Sequence, residues 1–225
     1  CSNPYWLNEK ASLGMYTVKD QLMRGLPETP KNTTALFKFV IDDIEINYKK
    51  DIAYKKRDPV KGEVYRPFEV TPPVFANITE DVYVFANDEA KSLKVTVKAG
   101  ANDLKGVLTL DLPKGWKSSP EEVKVELGSK EEERTFTFQI TPPSTQSVGQ
   151  VKAKVTIGDV VYDNELVLIE YDHIPTQMVL QPSSAKIVRI DLKKKGEKVG
   201  YVMGAGDVIP EVVKIIPERR PKRTR

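Results

Sequence analysis

From Asp81 onward the chain alternates apolar and polar residues with a period of two, in short runs interrupted by turn formers. The runs are 82–85, 93–97, 107–112, 123–127, 136–140, 151–157 and 166–169. In Leu93-Lys-Val-Thr-Val97, for example, the apolar side chains fall on one face and Lys and Thr on the other. Side chains of an extended strand point to alternate faces, so each run reads as a half-buried strand. The separators at 99–103, 113–115, 128–129, 142–144 and 158–159 are rich in Gly, Pro, Asn, Asp and Ser, which favour turns. About seven strands at this spacing, with no helical period between them, predict an antiparallel β-sandwich of immunoglobulin-like type over 73–192. No cysteine pair is present to pin such a domain, and Trp116 is expected to cover one end of its core.

Residues 1–72 are also β-rich but less complete. Strand candidates fall at 36–41, 44–46, 52–54 and 68–70, with breaks at Gly25-Leu-Pro-Glu-Thr-Pro30 and Arg57-Asp-Pro-Val-Lys-Gly62. That is too few strands to close a sandwich, so this part reads as a partial one with exposed edges, prone to self-association. Phe39-Val-Ile-Asp-Asp-Ile-Glu-Ile46 echoes Val155-Thr-Ile-Gly-Asp-Val-Val-Tyr162, and Tyr54-Lys-Lys-Arg-Asp-Pro59 echoes Tyr171-Asp-His-Ile-Pro175. Two readings stay open: coincidence between hairpins, or a repeat that makes 1–72 the later half of one sandwich and the rest a second, whole one. Thr71-Pro-Pro73 is the expected boundary, because paired prolines stiffen a joint and block strand pairing.

The pattern changes at the end. Lys198-Val-Gly-Tyr-Val-Met-Gly-Ala-Gly-Asp207 and Ile209-Pro-Glu-Val-Val-Lys-Ile-Ile216 read as one strand, a glycine loop and one helix. A single β-α step cannot bury its own apolar surface, so 193–225 is expected to be the truncated start of an α/β domain plus a basic tail. Gly204-Ala-Gly-Asp207 lacks the third glycine of the dinucleotide fingerprint. It reads as a tight βα turn with Asp207 as N-cap and Pro210 in the first helical turn, in preference to an anion site.

Candidates for chemistry are few. The one histidine, His173, precedes Ile174-Pro175, and no Gly-x-Ser-x-Gly elbow accompanies it, so it reads as a turn histidine rather than a catalytic base. A zinc site needs three or four well-spaced ligands, which one His and one Cys cannot supply. No catalytic, metal-binding or cofactor-binding residue is therefore expected in this chain. Asp42-Asp43 fits a hairpin turn, and Glu121-Glu122 and Glu131-Glu-Glu133 fit solvated loops. The net charge of +3 includes five basic residues in the tail Arg219-Arg-Pro-Lys-Arg-Thr-Arg225, so the body is slightly acidic and offers no nucleic-acid surface. No apolar run approaches the roughly 20 residues of a membrane-spanning helix.

Aromatic faces can stack on sugars, which makes Trp6, Tyr65 and Trp116 weak carbohydrate-contact candidates, with Tyr5 and Tyr16 as further platforms. Asn32-Thr-Thr34 and Asn77-Ile-Thr79 match the glycosylation sequon. Cys1 reads as the point where a fragment begins, with a lipidated lipoprotein cysteine as the alternative.

Five segments carry a resemblance: Asn3-Pro-Tyr-Trp-Leu7, Gly25-Leu-Pro27, Asp58-Pro-Val-Lys-Gly-Glu63 with Arg66-Pro-Phe68, Tyr171-Asp-His-Ile-Pro-Thr-Gln177, and Gly200-Tyr-Val-Met-Gly-Ala-Gly-Asp207. In this order they resemble the region that follows the catalytic domain in large PIG-L/LmbE-like N-acetylglucosaminyl deacetylases of Bacteroidota-type bacteria. Leu112-Pro-Lys-Gly-Trp116 also resembles accessory immunoglobulin-like domains of some glycosidases. The resemblance implies a preceding zinc-dependent deacetylase domain and a following amidotransferase-like α/β domain as partners. The deacetylase motifs, Pro-His-Pro-Asp-Asp and a later His-x-x-His pair, do not occur here. The expected function is thus a non-catalytic accessory scaffold, carbohydrate-proximal and extracytoplasmic, in the periplasm or cell envelope. The alternatives are a free-standing carbohydrate-binding or envelope module, possibly a lipoprotein, and an enzyme acting through His173.

Overall fold

The computed structural model describes residues 3–9, 11–31, 33–171, 173–174, 176–191, 202 and 204. Cys1, Asn32 and nearly all of the expected strand-loop-helix step at 193–225 lie outside these residues. The described chain is all β, with sixteen strands, two short 3-10 turns and no α-helix.

Two hairpins come first. Strands β1 (Thr34–Ile41) and β2 (Ile44–Asp51) pair across a two-residue turn at Asp42-Asp43. Both aspartates have positive φ, 49° and 64°, as a tight hairpin turn requires. Strands β3 (Ala53–Asp58) and β4 (Gly62–Pro67) form the second hairpin. Asp58 Oδ1 makes its turn by accepting from the amides of Val60 and Lys61, both at 2.9 Å. Phe68-Glu-Val70, expected to be a strand, is a connection outside any strand.

The remaining strands are β5 (Val74–Ile78), β6 (Val82–Phe85), β7 (Lys91–Ala99), β8 (Leu104–Asp111), β9 (Lys117–Ser119) and β10 (Glu122–Leu127), followed by β11 (Glu133–Thr141), β12 (Ser147–Ile157), β13 (Val160–Tyr162), β14 (Asn164–Ile169), β15 (Gln177–Pro182) and β16 (Ser184–Arg189). One sheet has the order β5-β7-β11-β9 and is wholly antiparallel. The other runs β10-β8-β12-β16-β6, with β13 attached to β12. Its strands are antiparallel except that β16 and β6 run parallel.

The inward faces of these sheets make one core. Val95, Val97, Phe138 and Ile140 from the first sheet meet Leu108, Val125, Val151, Val155 and Ile187 from the second, all fully buried. Each of the seven runs from Asp81 onward falls on a strand, the one at 107–112 running one residue past the end of β8; period-two patterning of this kind matches a strand with one covered and one wet face. The loop at Pro113–Trp116 folds over an end of this core. Gly115, at φ +89°, makes that turn, and Gly149 leaves room for Pro113, whose Cγ would lie 2.4 Å from an added Cβ.

Strands β14 and β15 form a hairpin between β13 and β16, held at both edges by asparagine. Asn77 on β5 donates Nδ2 to the Leu166 carbonyl (3.0 Å) and accepts from the Leu166 amide (3.3 Å). Asn3 does the same for Leu180, at 2.7 and 2.8 Å. Leu166 and Leu180 are paired residues of the hairpin, so each carboxamide stands in for a neighbouring strand. Asn77, read from its sequon as a possible glycan acceptor, thus has its amide nitrogen engaged in the fold. Asn77→Leu is expected to cost about 1–3 kcal/mol, because it leaves both Leu166 groups unpaired. Urea melts followed by circular dichroism, with faster amide exchange at Leu166, would show this.

Candidate functional site

The N-terminal segment encloses an open cleft of about 460 Å³, lined by Tyr5, Trp6, Tyr16, Thr17, Val18, Arg24 and Gly25. Local chemistry builds it. Pro4 precedes the 3-10 turn Tyr5–Leu7, closed by the Leu7 amide donating to the Pro4 carbonyl at 2.8 Å. Asp20 caps a second such turn, Gln21–Met23, by accepting from the Leu22 amide at 2.9 Å. Arg24 then reaches back to the Val18 carbonyl through Nε at 3.2 Å and Nη2 at 2.8 Å. Tyr5 ties the far side, its hydroxyl donating to the Leu26 carbonyl at 3.0 Å and its amide donating to Thr29 Oγ1 at 2.9 Å.

Inside this frame the Tyr5 and Trp6 rings meet edge to face, with centroids 4.9 Å apart, and Tyr16 stays exposed. A pyranose ring offers apolar C–H faces and polar hydroxyl edges. Aromatic walls beside a guanidinium and backbone carbonyls suit both. The cleft thus sets apolar ring faces and polar groups side by side.

The other aromatic candidates sit elsewhere. Tyr65 on β4 is exposed and outside the cleft lining. Its hydroxyl donates to Glu63 at 2.9 Å, and Lys55 lies 5.3 Å over its ring while bridging Glu63 at 2.6 Å. Lys55 first, then Tyr65, holds the Glu63 carboxyl below its usual range, and the same contact with Glu63 raises Lys55. Trp116 is buried, only 6% exposed, edge-on to Phe85 at 5.0 Å with Nε1 donating to Ser147 Oγ at 3.2 Å. It offers no ring face to a ligand. His173 is exposed in the turn after β14, its ring 5.8 Å from that of Tyr171.

A second cavity, about 380 Å³, lies where the β3–β4 hairpin meets the sandwich, with Tyr54, Arg66, Phe68, Phe75, Leu166 and Met178 in its lining. Arg66 bridges Glu170 there through Nη2 at 2.7 Å. Segments far apart in sequence thus meet: Asn3 on Leu180, Arg66 on Glu170, and Thr29-Pro-Lys31 beside Thr176-Gln-Met178. No group of three or more His, Cys, Asp or Glu that could hold a metal ion occurs among the described residues. Tyr16 and Arg24 as partners of Trp6 were beyond reach of sequence reasoning, since only the folded loop brings them together. No family model matches the chain, and no curated protein sequence matches it.

Proposed function

We propose that this chain is a non-catalytic, carbohydrate-proximal accessory region, and that the Tyr5–Trp6–Tyr16 cleft is its glycan-contact site. The observation that carries the reading is that cleft: three aromatic rings and Arg24 in one open concavity, framed by five hydrogen bonds that Asp20, Arg24 and Tyr5 make with backbone and Thr29. The parent activity is that of a PIG-L-like deacetylase, hydrolysis of N-acetyl groups on sugars in a neighbouring domain. The region positions the glycan outside the cytoplasm. Two of the segments with that resemblance, Asn3-Pro-Tyr-Trp-Leu7 and Gly25-Leu-Pro27, form or flank the cleft. Residues of two others, Arg66 with Phe68 and Thr176, line the second cavity together.

The sandwich itself supports an immunoglobulin-like assignment. The orders β5-β7-β11-β9 and β10-β8-β12-β16-β6 can be read as A-B-E-D facing C-F-G, with β10 and β6 added at the edges of the second sheet. The amphipathic β1–β2 hairpin and the β3–β4 hairpin after it are in keeping with a partial first sandwich in tandem with it.

Glycan-array screening followed by calorimetry tests the reading. Trp6→Ala and Tyr16→Ala are each expected to weaken binding about tenfold, the scale of one aromatic contact. The melt of the sandwich should stay in place. Binding that survives both substitutions, or no glycan retained at all, would sink the assignment.

A further inference from the structure

The β1–β2 hairpin has two unlike faces. Its register sets Ile41 opposite Ile44, Phe39 opposite Ile46 and Phe37 opposite Tyr48. Alternation puts these six on one face, with Ala35 and Lys50 at its open end. The other face is mixed, with Lys38 opposite Asn47, Val40 opposite Glu45 and Leu36 opposite Lys49. The Phe37 ring lies 6.4 Å from Phe39 and 6.3 Å from Tyr48, a continuous aromatic strip. Yet the six apolar residues remain 45–65% exposed, and among the described residues no other strand packs closely on β1 or β2. A two-stranded sheet with a bare apolar face is at best marginal in water.

We infer that this face is covered by the same face of a second copy of the chain, packed antiparallel about a two-fold axis near the Phe39–Ile46 pair. Charge favours that partner. The hairpin is acidic at its tip, Asp42-Asp43, and carries Lys50 at the open end of the apolar face, with its neighbour Lys49 on the other face. An isologous, antiparallel pair sets each acidic tip near the partner's Lys50, with Lys49 adding to the same field from behind, twice by symmetry. Area favours it too. Three half-exposed aromatics offer about 300 Å² and the isoleucines add more, giving on the order of 500 Å² per copy and about 1,000 Å² in all. Specific interfaces begin at that size. The result is a four-stranded, two-layer junction that buries both strips.

Sedimentation velocity on the full chain across the micromolar range tests this. A reversible equilibrium that stops at two copies is expected, with Phe39→Glu monomeric throughout and its sandwich melt unchanged. Lys49→Glu with Lys50→Glu should weaken the dimer about tenfold or more, as should Asp42→Lys with Asp43→Lys. Mixing these two double variants should restore association, since each tip then meets an opposite charge. The dimer does not depend on the glycan reading, and Trp6→Ala should leave it intact. A chain that stays monomeric, assembly that grows past two, or no rescue on mixing would overturn the proposal. A monomer with slowly exchanging amides from Phe37 to Tyr48 would also overturn it, because the chain would then cover the face itself.

Discussion

Trp116→Ala is expected to destabilise the protein by about 3–5 kcal/mol, the usual cost of truncating a large buried aromatic. The indole is 6% exposed and packs on Phe85, itself 1% exposed, at the end of the core where the Pro113–Trp116 loop folds over β12. Removing it leaves a void between the sheets and strands Ser147 Oγ without the Nε1 donor 3.2 Å away. Since a domain of this kind has only about 5–15 kcal/mol of total stability, the loss is a large fraction of it. Trp116→Phe keeps most of the packing and gives up the hydrogen bond, so a smaller loss of about 1–2 kcal/mol is expected. Urea melts of the two variants should separate clearly. A Trp116→Ala protein as stable as the parent would mean the ring is not part of the core.

Gly100→Ala carries the next largest expected effect, about 2–3 kcal/mol, from overpacking. A Cβ at this position would lie 2.4 Å from the Pro72 carbonyl oxygen, 3.2 Å from the Pro73 carbonyl carbon and 3.3 Å from Phe75 Cε2. The nearest obstacles are backbone, and backbone cannot rotate aside as a long side chain can. The same residue donates its amide to the Pro73 carbonyl at 2.8 Å, so the clash falls where the proline segment docks on the turn after β7. Amide exchange at Gly100 should quicken in the variant as that docking loosens. Gly158→Ala is the control. Gly158 has φ +57° but open space around a Cβ, so only the left-handed backbone penalty of about 1 kcal/mol is expected. Equal losses at the two glycines would show that close approach is not what Gly100 provides.

The strands that could be read from residues alone are those with their own period-two signal. Leu93-Lys-Val-Thr-Val97 and Phe136-Thr-Phe-Gln-Ile140 announce a covered face within five residues, and they pair with each other as β7 and β11. Lys117-Ser-Ser119 has no apolar residue at all. It becomes β9 because β11 offers an edge to which it can bond. Phe68-Glu-Val70 departs in the opposite way, having the pattern of a strand and lying outside every strand. The candidate site divides similarly. Trp6 and Trp116 look alike as isolated aromatics in loops, yet one lines an open cleft and the other is enclosed by Phe85 and the core. Tyr54 lies near the start of β3 whereas Tyr171 follows the end of β14, so the echo between those segments does not extend past their hairpins.

Alternation and turn chemistry depend on a few neighbouring residues, and they were sufficient for the all-β class, the position of seven strands and the Asp42-Asp43 turn. Sheet membership depends on hydrogen bonds between residues far apart, such as β16 lying parallel to β6 across a hundred residues. So does the capture of Leu166 and Leu180 by Asn77 and Asn3, since one carboxamide in a chain carries no local mark of its partner. Which aromatic faces remain open was decided at that level too. Burial is set by what packs against a ring, and that follows from how the sheets close.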